Sequence, residues 1–242
     1  MLLYDDLVDW YDLVDPVEDH EDEATVYRAL LEGAVDGPAS TLLELGCGAG
    51  NNAWHLKARF HCVLTDLAPA MLERSRRQNP ECEHALGDMR TLRLGRTFDL
   101  VLVHDAICYM TTEDDLRAVV RTAWEHTRPG GAAVFAPDFV RESFHEGTEP
   151  LEGDDEASGR AMRGLAWIVD PDPTDTTYLV DYAFILRTGT ESRVVHDRHV
   201  EGLFATSTWL DVLRSVGWTV EVSRPDLGDG YTGTVFVARR PR

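Results

Sequence analysis

Hydrophobic and polar positions follow three successive rhythms along the chain. Residues 1 to 14 place Leu3, Leu7, Trp10 and Leu13 or Val14 at helical spacing with aspartates between them, which predicts an amphipathic helix. A second helix is expected over 22 to 35, ending before Asp36-Gly37-Pro38. From residue 40 the pattern alternates. "TLLEL" reads as a buried strand, "NNAWHLKARF" as a helix and "HCVLT" as a strand. "APAMLERSRRQ" is a helix closed by Asn79-Pro80, "CEHAL" a short strand and "FDLVLV" a strongly apolar one. "DDLRAVVRTAWEHT" is a helix with Leu116, Val119, Val120, Ala123 and Trp124 on one face. Thr111 or Thr112, with an acid three positions on, supplies its capping box. "RPGG" then turns the chain into "AAVFAP". Strands alternating with helices build right-handed βαβ units and a parallel sheet.

After Pro137 the alternation stops. Residues 138 to 163 are polar, acidic and glycine-containing, which predicts a mobile loop. "LAWIVDP", "TYLVDYAFILR" and "RVVHDRHVEGLF" read as three β runs of an antiparallel meander. In the last run His199 shares a face with Val195, Asp197 and Glu201, while His196, Arg198 and Val200 take the other. The helix "STWLDVLRSVGW" follows, with Val212, Leu213 and Val216 on its buried side. Two strands, "TVEVS" and "TGTVFVARR", close the chain around the turn "DLGDGYTG". The organisation expected is an N-terminal helical cap over 1–37, a core over 38–137 and 206–242, and an insertion over 138–205.

Composition narrows the function classes. With 43% hydrophobic and 27% charged residues, 242 residues suffice for one packed domain with an insertion. No apolar run approaches the length of about eighteen residues that a membrane helix needs, and the acidic N-terminus does not read as a signal peptide. Cys47, Cys62, Cys82 and Cys108 lie far apart, without the close pairs of zinc or redox motifs, so reduced thiols in a cytoplasmic protein and no metal are expected. A net charge of −20 repels phosphate backbones, so a small-molecule substrate is expected and neither nucleic acid nor a membrane. The oligomeric expectation is a monomer or a homodimer.

The candidate chemistry begins at "LLELGCGAG", residues 42 to 50. Glycines after the first strand of a βαβ unit let the backbone turn tightly and approach a ligand. In a shifted register Gly48, Gly50 and Ala53 also fit the dinucleotide pattern G-x-G-x-x-A. Glu44 separates the two readings. An acid at the end of that strand would oppose a pyrophosphate, whereas it suits a ligand with an ammonium and no phosphate, such as S-adenosylmethionine.

These residues resemble the first motif, E/D-x-G-x-G-x-G, of the class I S-adenosylmethionine-dependent methyltransferases, carried by Glu44, Gly46, Gly48 and Gly50, with Cys47 between them. Asp66 in "LTDLAPAML" resembles the acid that accepts the ribose hydroxyls, with Leu67 beside it and Met71 as the residue packed on adenine. "GDMRTL" resembles the adenine-edge station, where Asp88 would accept from the amine and the Met89 N–H would serve a ring nitrogen. "FDLVLVHDAICYM" resembles the fourth-strand motif bordering the methyl-transfer site. The resemblance implies an α/β fold with a doubly wound, mostly parallel seven-stranded sheet, Rossmann-like, and an antiparallel β insertion after strand five. S-adenosyl-L-methionine is the implied cofactor.

Neither N/D-P-P-Y nor a Pro-Cys nucleophile follows the fourth strand, which with the charge points to a small molecule. The insertion and the N-terminal tyrosines are similar to small-molecule N-methyltransferases of the amino-sugar or glycine/sarcosine type. By that likeness Tyr11, or else Tyr4, would close over the donor. His104 and Asp105, at the mouth of strand four, would touch substrate or orient the donor. His199 would line the substrate pocket, with Tyr109 a weaker candidate. Three functions remain open: a methyltransferase acting on an amine, an O-methyltransferase using His104 or His199 as base, and a donor-binding regulatory or scaffold protein.

Overall fold

Strands buried on both faces become continuous apolar runs, and "LLEL", "VLT" and "LVLV" are such runs. The computed structural model describes residues 1–228 and 230–242. In chain order it shows α1 (Glu21–Ala34), β1 (Thr41–Leu45), α2 (Asn51–Leu56), β2 (His61–Asp66), α3 (Pro69–Gln78), β3 (Glu83–Leu86), β4 (Phe98–His104), α4 (Glu113–His126) and β5 (Thr127–Ala136). Then come β6 (Gly147–Asp155), β7 (Arg160–Val169), β8 (Thr177–Thr188), β9 (Glu191–Gly202), α5 (Thr206–Val216), β10 (Thr219–Ser223) and β11 (Val235–Arg239). One sheet has seven strands in the order β10-β11-β5-β4-β1-β2-β3, and a second has β6-β7-β8-β9.

The first sheet is parallel from β3 to β5, and β11 runs antiparallel to both of its neighbours. Its order reverses between β1 and β4, and a crevice at the carboxyl ends of such strands is where ligands bind. Leu43, Val101 and Phe135 point to the layer of α4 and α5, while Leu42, Leu100 and Val134 point to α1 and α2. The helix α4 buries Leu116, Val119, Val120 and Ala123 as its period predicted, and Thr112 is the cap, its Oγ1 accepting from the Asp115 N–H at 3.1 Å. Among the described residues no helix is long and apolar enough to cross a membrane.

Two expectations are corrected. Residues 1–14 do not form an α-helix but 3-10 turns at Leu2–Tyr4 and Val8–Leu13, followed by another at Val17–His20. Aspartates compete for backbone hydrogen bonds and weaken a helix. Tertiary anchors decide the path instead: Leu3 and Leu7 bury against Met162, Phe184 and Leu186 of the second sheet, and the Leu3 N–H donates to Asp197 at 3.0 Å. Nor is 138–163 a loop, since it holds all of β6 and the start of β7. An edge strand pairs on one side only, so it tolerates proline, glycine and charge. Pro150 and Gly153 sit on that edge, and a Cβ at Gly153 would come within 2.4 Å of the Leu13 carbonyl oxygen. The expected turn 226–233 includes Asp229, which lies outside the described residues.

Candidate active site

The glycine corner is shaped by crowding. Gly46, Gly48 and Gly50 have φ of 75°, 53° and 79°, in the left-handed region that favours glycine. At Gly46 a Cβ would stand 2.4 Å from the Ala106 Cβ and 2.9 Å from the Met89 Cε. β1 carries Glu44 into this corner, 3% exposed, with Oε2 lacking any hydrogen-bond partner. Burial pushes its carboxyl up to about 8 even though His104 and His20 draw it down. Glu44 lines a cavity of about 480 Å³ at the carboxyl end of the sheet. A desolvated carboxyl with a free oxygen fits an ammonium, and a phosphate would oppose it.

The remaining donor stations line the same cavity: Cys47, Gly48, Asp66, Leu67, Met71, Asp88 and Met89. Asp66 is fixed by two backbone donors, Gly48 N–H at 2.8 Å and Ala68 N–H at 2.7 Å. Burial still raises it above the ordinary carboxylate value. Each of its oxygens keeps a lone pair for a diol. Met71 is 1% exposed and Leu67 63% exposed, an inner and an outer apolar surface for a flat ring. Asp88 is already engaged: Arg90 donates to it through Nε at 3.0 Å and Nη2 at 2.7 Å and holds it below its usual range. Its expected contact with an amine edge therefore competes with Arg90.

His104 is held between carboxylates. Its Nε2 lies 2.7 Å from Asp105 Oδ1 and 3.3 Å from Glu23 Oε2. Burial works against the charged ring, yet those two carboxylates hold it well above the ordinary imidazole value. The Asn52 amide approaches Nδ1 at 3.2 Å, and the Tyr27 ring lies 5.2 Å away. His20 is clamped likewise, between Asp15 at 2.7 Å and Glu23 at 2.6 Å, and reaches about 10 despite burial. The reading of His104 as a proton acceptor finds no free nitrogen, since Nε2 faces two carboxylates and Nδ1 faces the Asn52 amide nitrogen. Asp105 follows β4 with φ 34° and ψ −58°, a strained conformation for a non-glycine residue and one found disproportionately at functional sites.

A second cavity, of about 510 Å³, lies between the carboxyl end of the first sheet and the inner face of the second. The two cavities share Tyr4, Tyr11, Asp15, His20, His104, Asp105 and Tyr109 in their walls, so they adjoin there. Tyr11 donates to Asp15 Oδ2 at 2.6 Å. Alternation along β9 buries His199, Asp197 and Glu201 and exposes His196, Arg198 and Val200, the faces that the sequence separates.

The expectation that His199 lines the substrate pocket is corrected. It is 0% exposed and lies in neither wall, because Tyr109 and Tyr182 stand in front of it. It meets the cavity wall through Tyr109. Asp197, which can only accept, takes the Nε2 proton at 3.1 Å, so Nδ1 accepts from the Tyr109 hydroxyl at 2.9 Å. Burial keeps the ring neutral by lowering its pKa against the pull of Asp197. The Tyr109 oxygen in turn accepts from Tyr4 at 2.8 Å. With its proton committed to His199 and one lone pair to Tyr4, Tyr109 presents its remaining lone pair to the junction.

Several functional residues escaped the sequence reading. Asp15, His20 and Glu23 looked like a solvated acidic patch, and Asn52 like an ordinary helix residue. Asp138, Tyr178, Tyr182 and Glu201 meet only once the second sheet folds over the first. Asp138 carried one usable signal, its place just past the end of strand five.

Residues 42–131 match the family described as methyltransferase domain. Over 111 residues the chain is 35% identical to dTDP-3-amino-3,4,6-trideoxy-alpha-D-glucopyranose N,N-dimethyltransferase of Streptomyces venezuelae, covering 45% of this chain and 47% of that protein. The chain thus spans about half the length of the curated relatives it matches. The fold likeness is wider. The crystal structure of Streptomyces venezuelae DesVI superposes with a TM-score of 0.84 at 26% identity, covering 98% of each chain. SAM-bound CalS10, an amino pentose methyltransferase from Micromonospora echinaspora, gives 0.78 at 25% identity over 92% of this chain and 91% of that one.

Proposed function

We propose that this chain, which carries a methyltransferase domain over residues 42–131, is an S-adenosylmethionine-dependent N-methyltransferase acting on a small amine. One observation carries the reading most directly. A cavity holding the unpartnered Glu44 oxygen shares a wall with a second, tyrosine- and acid-lined cavity. One relative is named as an amino-sugar N,N-dimethyltransferase and another as an amino pentose methyltransferase, which supports an amine as acceptor here.

When bound, S-adenosylmethionine supplies a sulfonium-activated methyl group to which the amine nitrogen bonds as the C–S bond breaks. Glu44 would hold its ammonium, Asp66 its ribose hydroxyls, and Met71 and Leu67 its adenine. The chain's own tasks are alignment and exclusion of water. Tyr4 and Tyr11 cover the junction from the N-terminal segment. Burial, with Asp15 beside Tyr11, raises both phenols well above 10, so they stay protonated. Tyr109, its hydroxyl donating a hydrogen bond to His199, orients the acceptor nitrogen through its remaining oxygen lone pair. An amine attacks only when neutral, so one N–H bond of the entering ammonium breaks and the proton passes to an Asp105 carboxylate oxygen. Asp105, half exposed, can hand it on to water.

Incubation with S-adenosylmethionine and a panel of amines and phenols tests this reading. Release of S-adenosylhomocysteine with amines is expected, together with thermal stabilisation by the donor. Turnover confined to phenols, or donor binding without turnover across the panel, would overturn it.

A further inference from the structure

The acceptor cavity carries a charge pattern that a nucleotide sugar does not fit. Its described wall includes Glu23, Asp105, Asp138, Glu149 and Glu201, and no lysine or arginine. The only basic side chains there are His20 and His104, and each already lies between carboxylates. A diphosphate would bring further negative charge into this wall with no free cation to meet it.

Within the wall one place is built for a cation. Asp138, just after β5, and Glu201 in β9 come together from distant parts of the chain. One oxygen of each lies within 4.8 Å of the other and of the Cys108 sulfur. The Glu201 side chain is 5% exposed. Its Oε2 accepts from the Tyr178 hydroxyl, whereas Oε1 has no hydrogen bond among the described residues and lies 3.9 Å from the neutral His199. Two desolvated carboxyls this close repel each other unless one keeps its proton or a positive group sits between them. Burial, then Asp105 and Glu201, push Asp138 well above its usual value, and burial pushes Glu201 to about 7.

We propose that the acceptor is a phosphate-free oligoamine, one nitrogen of which reaches the junction at Asp105 while a second ammonium is held by Asp138 and Glu201. This inference rests on the methyl-transfer reading and narrows its substrate class away from the dTDP-linked sugar in the first relative's name. An ammonium suits the place better than a metal ion. Burial, with Asp138 and Glu201 beside it, holds the Cys108 thiol well above its usual value, so the thiolate that a soft metal needs is absent. The Cys108 sulfur is also occupied in accepting the Asp138 N–H at 3.3 Å. The net charge of −20 steers a polycation inward.

Calorimetry on the full chain tests the site directly, with neamine as a tetra-amine probe and thymidine diphosphate as its anionic counterpart, both with S-adenosylhomocysteine present. Neamine is expected to bind and thymidine diphosphate not to. The double variant Asp138→Asn, Glu201→Gln should weaken neamine about thirtyfold or more while leaving S-adenosylhomocysteine affinity unchanged. With turnover as the readout, the same variant should raise KM far more than it lowers kcat. Neamine binding that is absent, or equal in the double variant, overturns the inference, as does tighter binding of thymidine diphosphate. Binding of zinc alone that is lost in Glu201→Gln also overturns it. Failure of the donor product to bind would instead overturn the methyl-transfer reading, and this inference with it.

Discussion

The two sheets solve different problems with different kinds of residue. The seven-stranded sheet presents backbone: a glycine corner, N–H groups holding Asp66, and one buried acid, all within the 28 residues from Glu44 to Met71. The four-stranded sheet presents side chains, its inner face setting Tyr178, Tyr182 and Glu201 against Asp138 and Tyr109 from the other sheet. Backbone recognition depends on local conformation and survives most substitutions. Side-chain recognition depends on long-range register, where one residue's slip would turn every inward group outward. On the proposed reading the donor would be met by the locally built half of the molecule and the acceptor by the half assembled from afar.

Substitutions can break that contrast, and the largest effect is expected at the corner itself. Gly46→Val should cost roughly 2–5 kcal/mol of folding stability, because a β-branched side chain is forced to positive φ and into Ala106 and Met89. Denaturant unfolding checks this, and an unchanged midpoint would remove the steric account of the corner.

Glu44→Ala should weaken donor binding by about 1–3 kcal/mol without loss of stability in the donor-free protein, since the orphaned carboxyl is a burden there. The pH dependence follows in sign. The folded value, about 8, lies above the ordinary 4.5, so this group's contribution to stability is full below 4.5 and is lost as pH rises through about 8. The donor's ammonium favours the ionised form, so donor affinity should rise toward pH 8 by up to about tenfold per unit. Glu44→Gln should flatten that rise, as titration calorimetry would show.

In the second sheet, Tyr109→Phe and His199→Asn should each lower kcat roughly ten- to a hundredfold through misplacement of the acceptor nitrogen. Donor affinity should not move in either. A matching loss of donor affinity would mean that the relay serves the first cavity and not the junction. The smallest effect is expected at Arg90→Ala. The pair with Asp88 is substantially exposed, so stability should change by at most about 1 kcal/mol. Freed of its partner, Asp88 should bind the donor a few-fold more tightly.

The fold of the first sheet was readable because its strands are buried on both faces and its helices carry one apolar stripe. β1 to β4, α3 and α4 therefore lie where the periodicity predicts, whereas β5 starts at Thr127 and takes in the "RPGG" that the sequence reads as a turn. The donor stations follow from the same order, since topology brings Glu44, Asp66 and Asp88 to neighbouring strand ends. β6 was invisible because an edge strand needs no alternation, and the N-terminal turns because the second sheet, not helix propensity, fixes their path. His104 and His199 show the limit most clearly. Sequence gives a histidine's address, but His104 is held charged by Glu23, 81 residues earlier, together with Asp105, and His199 is kept neutral by burial that outweighs the pull of Asp197.

The sequence alone determined the parallel platform, its glycine corner and the acids at its strand ends, because those depend on local conformation and short-range periodicity. Only the tertiary structure decided which histidine is charged, which is neutral, and that Asp138 and Glu201 share one wall. Charge state and cavity chemistry come from desolvation and from groups brought close across the fold, and neither is written in any local stretch of chain.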